Sequence, residues 1–261
     1  MTLSIILFIT GVVLFALLLW AYHKSKKPVE GTNIPEAQFK KVLHEKVSFY
    51  DNLKPADKKD FLNRVKYFIS RIRITPVQGV ELTNPDRILV AAAAVIPLFR
   101  FTNWFYNNLN EILVYPGSFN RDFELEGGVD QNIIGMVGDG AMHRTMILSL
   151  HALRAGFSGN SKNNTAIHEF AHLLDKADGS TDGVPELILQ QENVKPWIQL
   201  MHRYIAHLRN NRSDIDPYGA TNEAEFFAVM SEYFFQRPEK LKENHPQLYE
   251  ILEEAFSNAQ N

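Results

Sequence analysis

Two histidines four positions apart, with a glutamate directly after the first, constrain this chain more than any other feature of its sequence. They are His168, Glu169 and His172, in the pattern H-E-x-x-H. Residues four apart lie on the same face of an α-helix, so a helix here would direct both imidazoles at one point. Glu169 would lie about 100° further round the helix, close to that point. The pattern has chemical meaning only if this segment is helical.

The residues around the motif predict such a helix. Four apolar residues follow the spacing of a buried helix face: Ile167, Phe170, Ala171 and Leu174. Three residues that can cap a helix stand at its start: Asn163, Asn164 and Thr165. Gly179 is suited to ending the segment. The motif therefore lies on a short helix with one face in the core.

An imidazole pair beside a carboxylate is typical of a catalytic zinc site. Imidazole nitrogens suit zinc, and a catalytic site keeps one coordination position open for water. Glu169 would hold that water without binding the metal. The alternative is a pair of structural histidines. The pattern favours one Zn²⁺ per chain, bound by His168 and His172.

Zinc needs a third protein ligand, and the chain contains no cysteine, so the ligand must be His, Asp or Glu. The best candidates lie on a second predicted helix, which begins after the N-cap Asn222 and ends near Gln236. Glu225 and Glu232 are two turns apart on one face of it. Glu225 has a second interpretation, as a capping-box residue that reaches back to the amide of Asn222. Spacing leaves both interpretations open.

The segments HEFAHLLD and YGATNEAEFFAVMSEYFF resemble the Mlc titration factor A family of bacterial zinc peptidases. The resemblance covers roughly residues 37–253, including the stretches ITPVQGVELT and ILVYPGSF. The two site segments alone are also similar to the catalytic domain of anthrax lethal factor. The families are gluzincins, in which a glutamate on a second helix is the third zinc ligand.

This resemblance implies a role for each residue of the motif segments. His168, His172 and Glu225 would be the zinc ligands. Glu169 would be the general base, and Tyr218 the phenol that stabilises the oxyanion. A packing role after Pro217 is the other interpretation of Tyr218.

Two further acidic residues keep alternative interpretations. Glu232 has no ligand counterpart in lethal factor, and would either contact a ligand histidine or lie on the helix surface. Asp175 recurs in both resembled families, and would either bond to a ligand or cap the turn at Asp178 and Gly179.

The resemblance also implies an activity and a partner: aminopeptidase-like cleavage of a peptide or protein, and regulation of a transcriptional repressor of sugar uptake. The alternative is a zinc-stabilised binding module that sequesters such a repressor. The intact Glu169 favours an enzyme, because a scaffold has no need of a base beside its metal. A structural membrane protein without metal is the third and least favoured possibility.

Residues 3–22 form an uncharged apolar run that ends with Trp20 and Tyr22. Roughly 20 such residues can span a bilayer as a helix. A cleaved signal peptide fits less well, because no Lys or Arg precedes the run and no A-x-A site follows it. Lys24, Lys26 and Lys27 on the C-terminal flank predict a single-pass cell-membrane anchor with the following domain in the cytoplasm.

The formal net charge of −3 and the lack of a long basic run exclude nucleic acid as an expected partner. We expect an anchor over residues 1–24, a linker over 25–36 and a metallopeptidase domain over 37–261. The expected fold is α+β and zincin-like, mainly helical with a small sheet. Residues 117–142, Gly-rich and acidic, predict loop and a short hairpin.

The spacing of apolar residues and the positions of Pro and Asn predict several helices and strands of this domain. Helices are expected over 38–72, with a break at Pro55, and from Asn84 through the apolar stretch to Phe99. Residues 112–115 predict a strand. Residues 146–153 have strand composition, either as a sheet edge that binds extended substrate or as an interior strand. Two histidines, His143 and His151, are expected near a cleft. The other four are expected in surface or structural roles: His44, His202, His207 and His245.

Overall fold

A computed structural model describes residues 33–102, 105–117, 135–137, 144–159 and 161–257. Helices dominate these residues. In chain order they are α1 (Glu36–Lys46), α2 (Ser48–Asp51), α3 (Pro55–Arg71), α4 (Asn84–Leu98), α5 (Leu150–Gly156), α6 (Thr165–Asp175), α7 (Gln191–Leu208), α8 (Glu223–Gln236), α9 (Pro238–Asn244) and α10 (Pro246–Ser257). Short 3₁₀ helices cover Lys176–Asp178 and Pro217–Ala220.

A small sheet contains the four described strands, β1 (Arg73–Pro76), β2 (Glu111–Tyr115), β3 (Gly135–Val137) and β4 (Thr145–Ser149). Their order is β1-β2-β4-β3. The first three strands in that order run parallel, with Ile74 beside Ile112 and Ile112 beside Met146. β3 pairs with β4 in the antiparallel direction. The fold is thus α+β, mostly helical with a small mixed sheet, as the sequence predicts.

Helix α4 forms the centre of the core. Thr83 caps it in a reciprocal capping box with Asp86, and every residue from Asp86 to Leu98 is buried. The helix packs against α1, α3, α5 and the motif helix α6. Arg154 on α5 donates two hydrogen bonds of 2.8 Å to the buried carboxylate of Asp86. These contacts fix α5, and with it the start of the loop that leads to α6.

The strand predicted over residues 146–153 is shorter than expected and is not an edge. Ser149 ends β4 and at the same time caps α5, because its side chain accepts a hydrogen bond from the amide of Ala152. Residues 150–153 therefore belong to a helix. β4 lies between β2 and β3, so the interior-strand interpretation is right, and β3 is the outer strand on that side of the described sheet.

The predicted helices and the strand over residues 112–115 are confirmed with small shifts. The loop and hairpin predicted over 117–142 lie mostly outside the described residues, which include only residue 117 and β3 of that segment. Residues 38–72 contain three helices, interrupted at Val47 and before Pro55, which is the first residue of α3. The predicted anchor and most of the predicted linker lie outside the described residues. Within the described ranges, no helix combines the length and the apolar character that a bilayer crossing needs.

Candidate metal centre

The start of α6 is fixed by a buried asparagine. Asn164 is fully buried, and its side-chain oxygen accepts a hydrogen bond of 3.2 Å from the amide of Ile167. Its side-chain nitrogen donates to the carbonyl of Gly156 at the end of α5. A Cβ at Gly156 would lie 2.9 Å from the Asn164 side chain, so this close approach needs glycine. The asparagine cap thus sets where the H-E-x-x-H helix begins.

The start of α8 places Glu225. Asn222 caps this helix through a bond of 2.9 Å from the amide of Glu225. The Glu225 carboxylate points away from the cap and towards the histidines of α6. The capping-box interpretation of Glu225 is therefore wrong, since its side chain contacts His168 and His172 and not the amide of Asn222.

Three side chains converge in that space. Nε2 of His168 lies 3.0 Å from Oε2 of Glu225, and Nε2 of His172 lies 3.3 Å from the same oxygen. The imidazole rings are nearly perpendicular, with centroids 4.8 Å apart. One ligand atom of each residue lies within 4.8 Å of the other two. Helices α6 and α8 together present two nitrogens and one oxygen to one small volume.

His168 on α6 and Glu225 on α8 shift each other's pKa. Burial alone would lower the pKa of His168 and raise that of Glu225. The hydrogen bonds between them reverse both effects, so the pKa of His168 is raised and that of Glu225 is held well below its usual range. The neighbouring carboxylates therefore favour a proton on His168. A metal cation would replace that proton, so its affinity falls as the pH falls.

Glu169 is 4% exposed and adjoins this group without being part of the three-residue cluster. Burial raises the pKa of its carboxyl, whereas the nearby His172 and His168 lower it, and the net shift is upward. A buried carboxylate of raised pKa takes up a proton more readily than an exposed one. Glu169 therefore has the properties of a proton acceptor beside the cluster.

Tyr218 lies beside the cluster and is exposed to solvent. It lies in the 3₁₀ helix Pro217–Ala220, where Asp216 accepts a hydrogen bond from its amide. Its ring centroid is 6.0 Å from that of His168, and 53% of the residue is exposed. This exposure does not fit a core-packing role. Burial and the charges of Glu225 and Glu169 raise the pKa of the phenol, which keeps its proton available for donation.

Glu232 contacts a histidine of the cluster, as one of its two interpretations required. Its Oε2 lies 3.3 Å from Nδ1 of His168, and its Oε1 accepts a hydrogen bond of 2.6 Å from the amide of Asn164. The same carboxylate thus joins the cap of α6 to the imidazole one turn later. The helix-surface interpretation of Glu232 is wrong.

Among the described residues, the Asp175 side chain makes no capping hydrogen bond to the turn at Asp178 and Gly179, and its Oδ1, the atom free to bond to a ligand, has no hydrogen-bond partner. It is fully buried at the end of α6, and its Oδ2 accepts a hydrogen bond of 3.0 Å from the amide of Gly183. Burial raises the pKa of its carboxyl to about 6. The turn at Asp178 and Gly179 is stabilised instead by Asp178 itself, which accepts a bond from the amide of Ser180.

Two residues of this region were not foreseen in these roles. The backbone amide of Asn164 donates a hydrogen bond to Glu232. The sequence predicted only that the Asn164 side chain could cap the helix. Gly183 (φ +75°) lies against α8, where an added Cβ would be 2.2 Å from the carbonyl oxygen of Glu223. The Asp-Gly dipeptide signals a turn, but not the contact with a distant helix.

The remaining described histidines take other roles. His44 bonds to Asp51 at 2.7 Å and His245 to Asp214 at 2.8 Å. His151 is exposed on α5, and His143 lies outside the described residues. Among the residues described here, no other group of three His, Asp or Glu side chains comes together as the α6–α8 cluster does.

The cluster fits a divalent metal ion. Two imidazoles and one carboxylate form the protein ligand set of catalytic zinc sites, which leave one position open. The shared oxygen of Glu225, close to both Nε2 atoms, shows that the three groups already meet without rearrangement of the helices. This set of donor atoms is suited to binding a metal ion.

Comparisons with known proteins agree with the geometry. The sequence profile of the "Glucose-regulated metallo-peptidase M90" family matches residues 20–257. The uncharacterized protein slr2042 of Synechocystis sp. is 30% identical over 226 residues, which is 82% of each chain. The Mlc titration factor A of Escherichia fergusonii is 31% identical over 194 residues, 70% of this chain and 72% of its own. That of Klebsiella pneumoniae is 28% identical over 210 residues, 76% of this chain and 78% of its own.

The resemblance expected from the motif segments is thereby confirmed over most of the chain. The match includes both helices of the cluster, since α6 and α8 lie inside residues 20–257. The chain belongs to the glucose-regulated metallo-peptidase M90 family, together with the Mlc titration factors A.

Proposed function

We propose that this chain is a zinc-dependent peptidase with His168, His172 and Glu225 as the metal ligands. One observation carries the proposal: the ligand atoms of these residues lie within 4.8 Å of one another, beside the buried Glu169. Family membership supports metallopeptidase chemistry. Zinc is the metal that best suits two imidazoles and a carboxylate in a site with an open position.

Zinc, when bound, lowers the pKa of water towards neutrality and polarises the scissile carbonyl. Glu169 accepts the proton of the attacking water and delivers it to the leaving amine. Burial raises the pKa of the Glu169 carboxyl, which favours its role as proton acceptor and then donor. Tyr218 donates a hydrogen bond to the oxyanion that develops on the substrate carbonyl.

We also propose that the chain cleaves its substrates as an aminopeptidase does, from a free N-terminus. The support is the resemblance of the motif segments to the titration factor family, and a peptide or protein is the substrate class. A panel of peptides with free and blocked N-termini distinguishes the two modes of cleavage. Cleavage of blocked and free peptides at equal rates contradicts an aminopeptidase.

We further propose that residues 1–24 anchor the domain 37–261 to the cell membrane through the linker 25–36. The support is the uncharged run over residues 3–22 and the lysines that follow it. The first described helix begins at Glu36, at the predicted boundary of linker and domain. In this arrangement the metal centre faces the cytoplasm.

A second candidate function is regulatory binding. Relatives with about 30% identity over most of their length carry the name Mlc titration factor A. That name supports a transcriptional repressor as a protein partner of this chain. The buried Glu169 beside the cluster favours the peptidase as the primary function, because binding alone needs no such base.

The decisive experiment combines metal analysis with turnover. The full-length chain should bind about one zinc ion and cleave peptides, and Glu169→Gln should keep the metal but lose most turnover. Glu223→Gln is the matched control, since Glu223 lies two residues before Glu225 but outside the cluster, with a side chain 47% exposed and 3.6 Å from His202. Turnover that survives in Glu169→Gln, or wild-type protein without metal, contradicts the proposal. Repressor binding that persists with no turnover in the wild type would support the second candidate.

A further inference from the structure

Two buried polar atoms near the end of α6 have complementary chemistry and no partner. Among the described residues, His172 Nδ1 and Asp175 Oδ1 are two of three buried side-chain nitrogen or oxygen atoms without a hydrogen bond. The two residues are three positions apart on one helix, a spacing at which side chains are neighbours. Native proteins rarely leave such atoms unpaired.

The roles of the two atoms as donor and acceptor follow from the site. If Nε2 of His172 binds a metal, the imidazole must carry its proton on Nδ1, which makes Nδ1 a donor. An ionised Asp175 can only accept. The two atoms form no hydrogen bond in this structure, and the terminal torsions of both side chains are broad, so their pairing needs reorientation of side chains but not of the helix.

The other histidine of the cluster already has this arrangement. Nδ1 of His168 lies 3.3 Å from the carboxylate of Glu232. Carboxylates behind ligand imidazoles fix their orientation and increase their basicity. With Asp175 behind His172, each imidazole would have its own carboxylate, one from α8 and one from α6.

Asp175 also contacts the loop between α6 and α7. Its Oδ2 accepts the amide of Gly183, whose carbonyl accepts a bond of 2.6 Å from Trp197. Gly183 is packed so closely against the carbonyl of Glu223 that a Cβ would approach it to 2.2 Å. Glu223 is two residues before Glu225. A short chain of contacts therefore runs from Asp175 through Gly183 to the helix turn that bears Glu225.

We infer that Asp175 is a positioning residue that holds His172 through Nδ1 and, through Gly183, sets the distance between the α6 and α8 halves of the metal centre. The inference rests on the proposed function, since it takes His172 and Glu225 as ligands. It assigns a second task to the loop between α6 and α7, which contacts both halves of the site without supplying a ligand.

Zinc affinity of the full-length chain, measured by competition with a chromophoric chelator, tests this. Asp175→Asn can keep the bond from Gly183 but presents an amide donor to the His172 donor. It should weaken zinc binding about 10- to 100-fold, with the melting temperature of the metal-free protein little changed. Asp178→Asn is the control, because Asp178 accepts the amides of Ser180 and Glu186 in the same loop. That variant should bind zinc as the wild type does.

A measurement on the wild type covers the case in which Asp175→Asn fails to fold. In zinc-loaded protein labelled with ¹⁵N at histidine, the Nδ1 proton of His172 should be hydrogen-bonded and protected from exchange. A proton that exchanges as fast as that of free imidazole overturns the inference, as does an Asp175→Asn affinity within twofold of wild type. A wild type that binds no zinc overturns the proposed function itself, and this inference with it.

Discussion

The carboxylate of Glu232 bridges Nδ1 of His168, at 3.3 Å, and the amide of Asn164, at 2.6 Å. Glu232→Gln can still accept from Asn164 but is a poorer partner for the imidazole, so zinc affinity should fall by about 10- to 100-fold. Chelator competition measures this fall. Glu225→Ala should lose far more affinity, because it removes a ligand. If the ranking of the two variants is reversed, Glu232 is the ligand and the assignment of Glu225 is wrong.

Tyr218→Phe tests the oxyanion role of the phenol. Loss of one oxyanion donor costs about 100- to 1,000-fold in turnover, or about 3–4 kcal/mol. Zinc content, melting temperature and substrate binding should stay near wild type, because the ring is retained and the residue is 53% exposed. Steady-state kinetics with metal analysis of the same preparation measures the effect. Full activity with full metal removes Tyr218 from the mechanism.

Asp214 stabilises the protein in a pH-dependent way, away from the metal centre. Burial alone would raise its pKa, but hydrogen bonds from Tyr233, Asn244 and His245 hold it far below its usual value of 3.8. A lowered pKa stabilises the folded state above pH 3.8, and this stabilisation is lost as the pH falls further. Asp214→Asn should therefore cost about 1.5–3 kcal/mol at neutral pH and less in acid.

Urea unfolding at neutral pH and at about pH 3 measures that difference. The control is Asp60→Asn, whose carboxylate is 51% exposed and pairs with Arg64 on the surface of α3. Exposed pairs of this kind contribute about 0–1 kcal/mol. An Asp214→Asn penalty that is the same at both pH values contradicts the assignment of the acid dependence to this residue.

Topology is testable without enzymology. A reporter fused to the C-terminus should respond as a cytoplasmic protein, and the chain should remain in the membrane fraction after carbonate extraction. Transfer of Lys24, Lys26 and Lys27 to the N-terminal side of the apolar run should disturb or invert insertion. A periplasmic signal from the unmodified chain would contradict the proposed location and a cytosolic partner.

Sequence alone predicted the two helices of the site well, because their signals are local. Apolar spacing and the caps Asn164 and Asn222 are properties of a few consecutive residues. Long apolar stretches such as α4 were recognisable for the same reason. The convergence of His168, His172 and Glu225 could be expected only through the family resemblance, since it depends on how α6 packs against α8.

What escaped prediction depends on contacts between distant segments. The position of β4 inside the sheet is set by pairing with β3, which no pattern within residues 145–149 encodes. The end of β4 was misjudged because Ser149 caps a helix within a run that has strand composition. The contacts of Gly183 with Asp175 and with Glu223 could not be predicted, because these residues become neighbours only in the folded chain.

The separation of the two site helices along the chain has a thermodynamic consequence. His168 and Glu225 are 57 positions apart, and the chain contains no cysteine with which to form a disulfide. An ion held by both residues closes that loop as a covalent cross-link would, and restricts the unfolded chain. For a loop of this length, the chain-entropy estimate for a cross-link is about 4 kcal/mol. The metal would then have two roles in this protein: it would take part in catalysis, and it would stabilise the fold as a cross-link does.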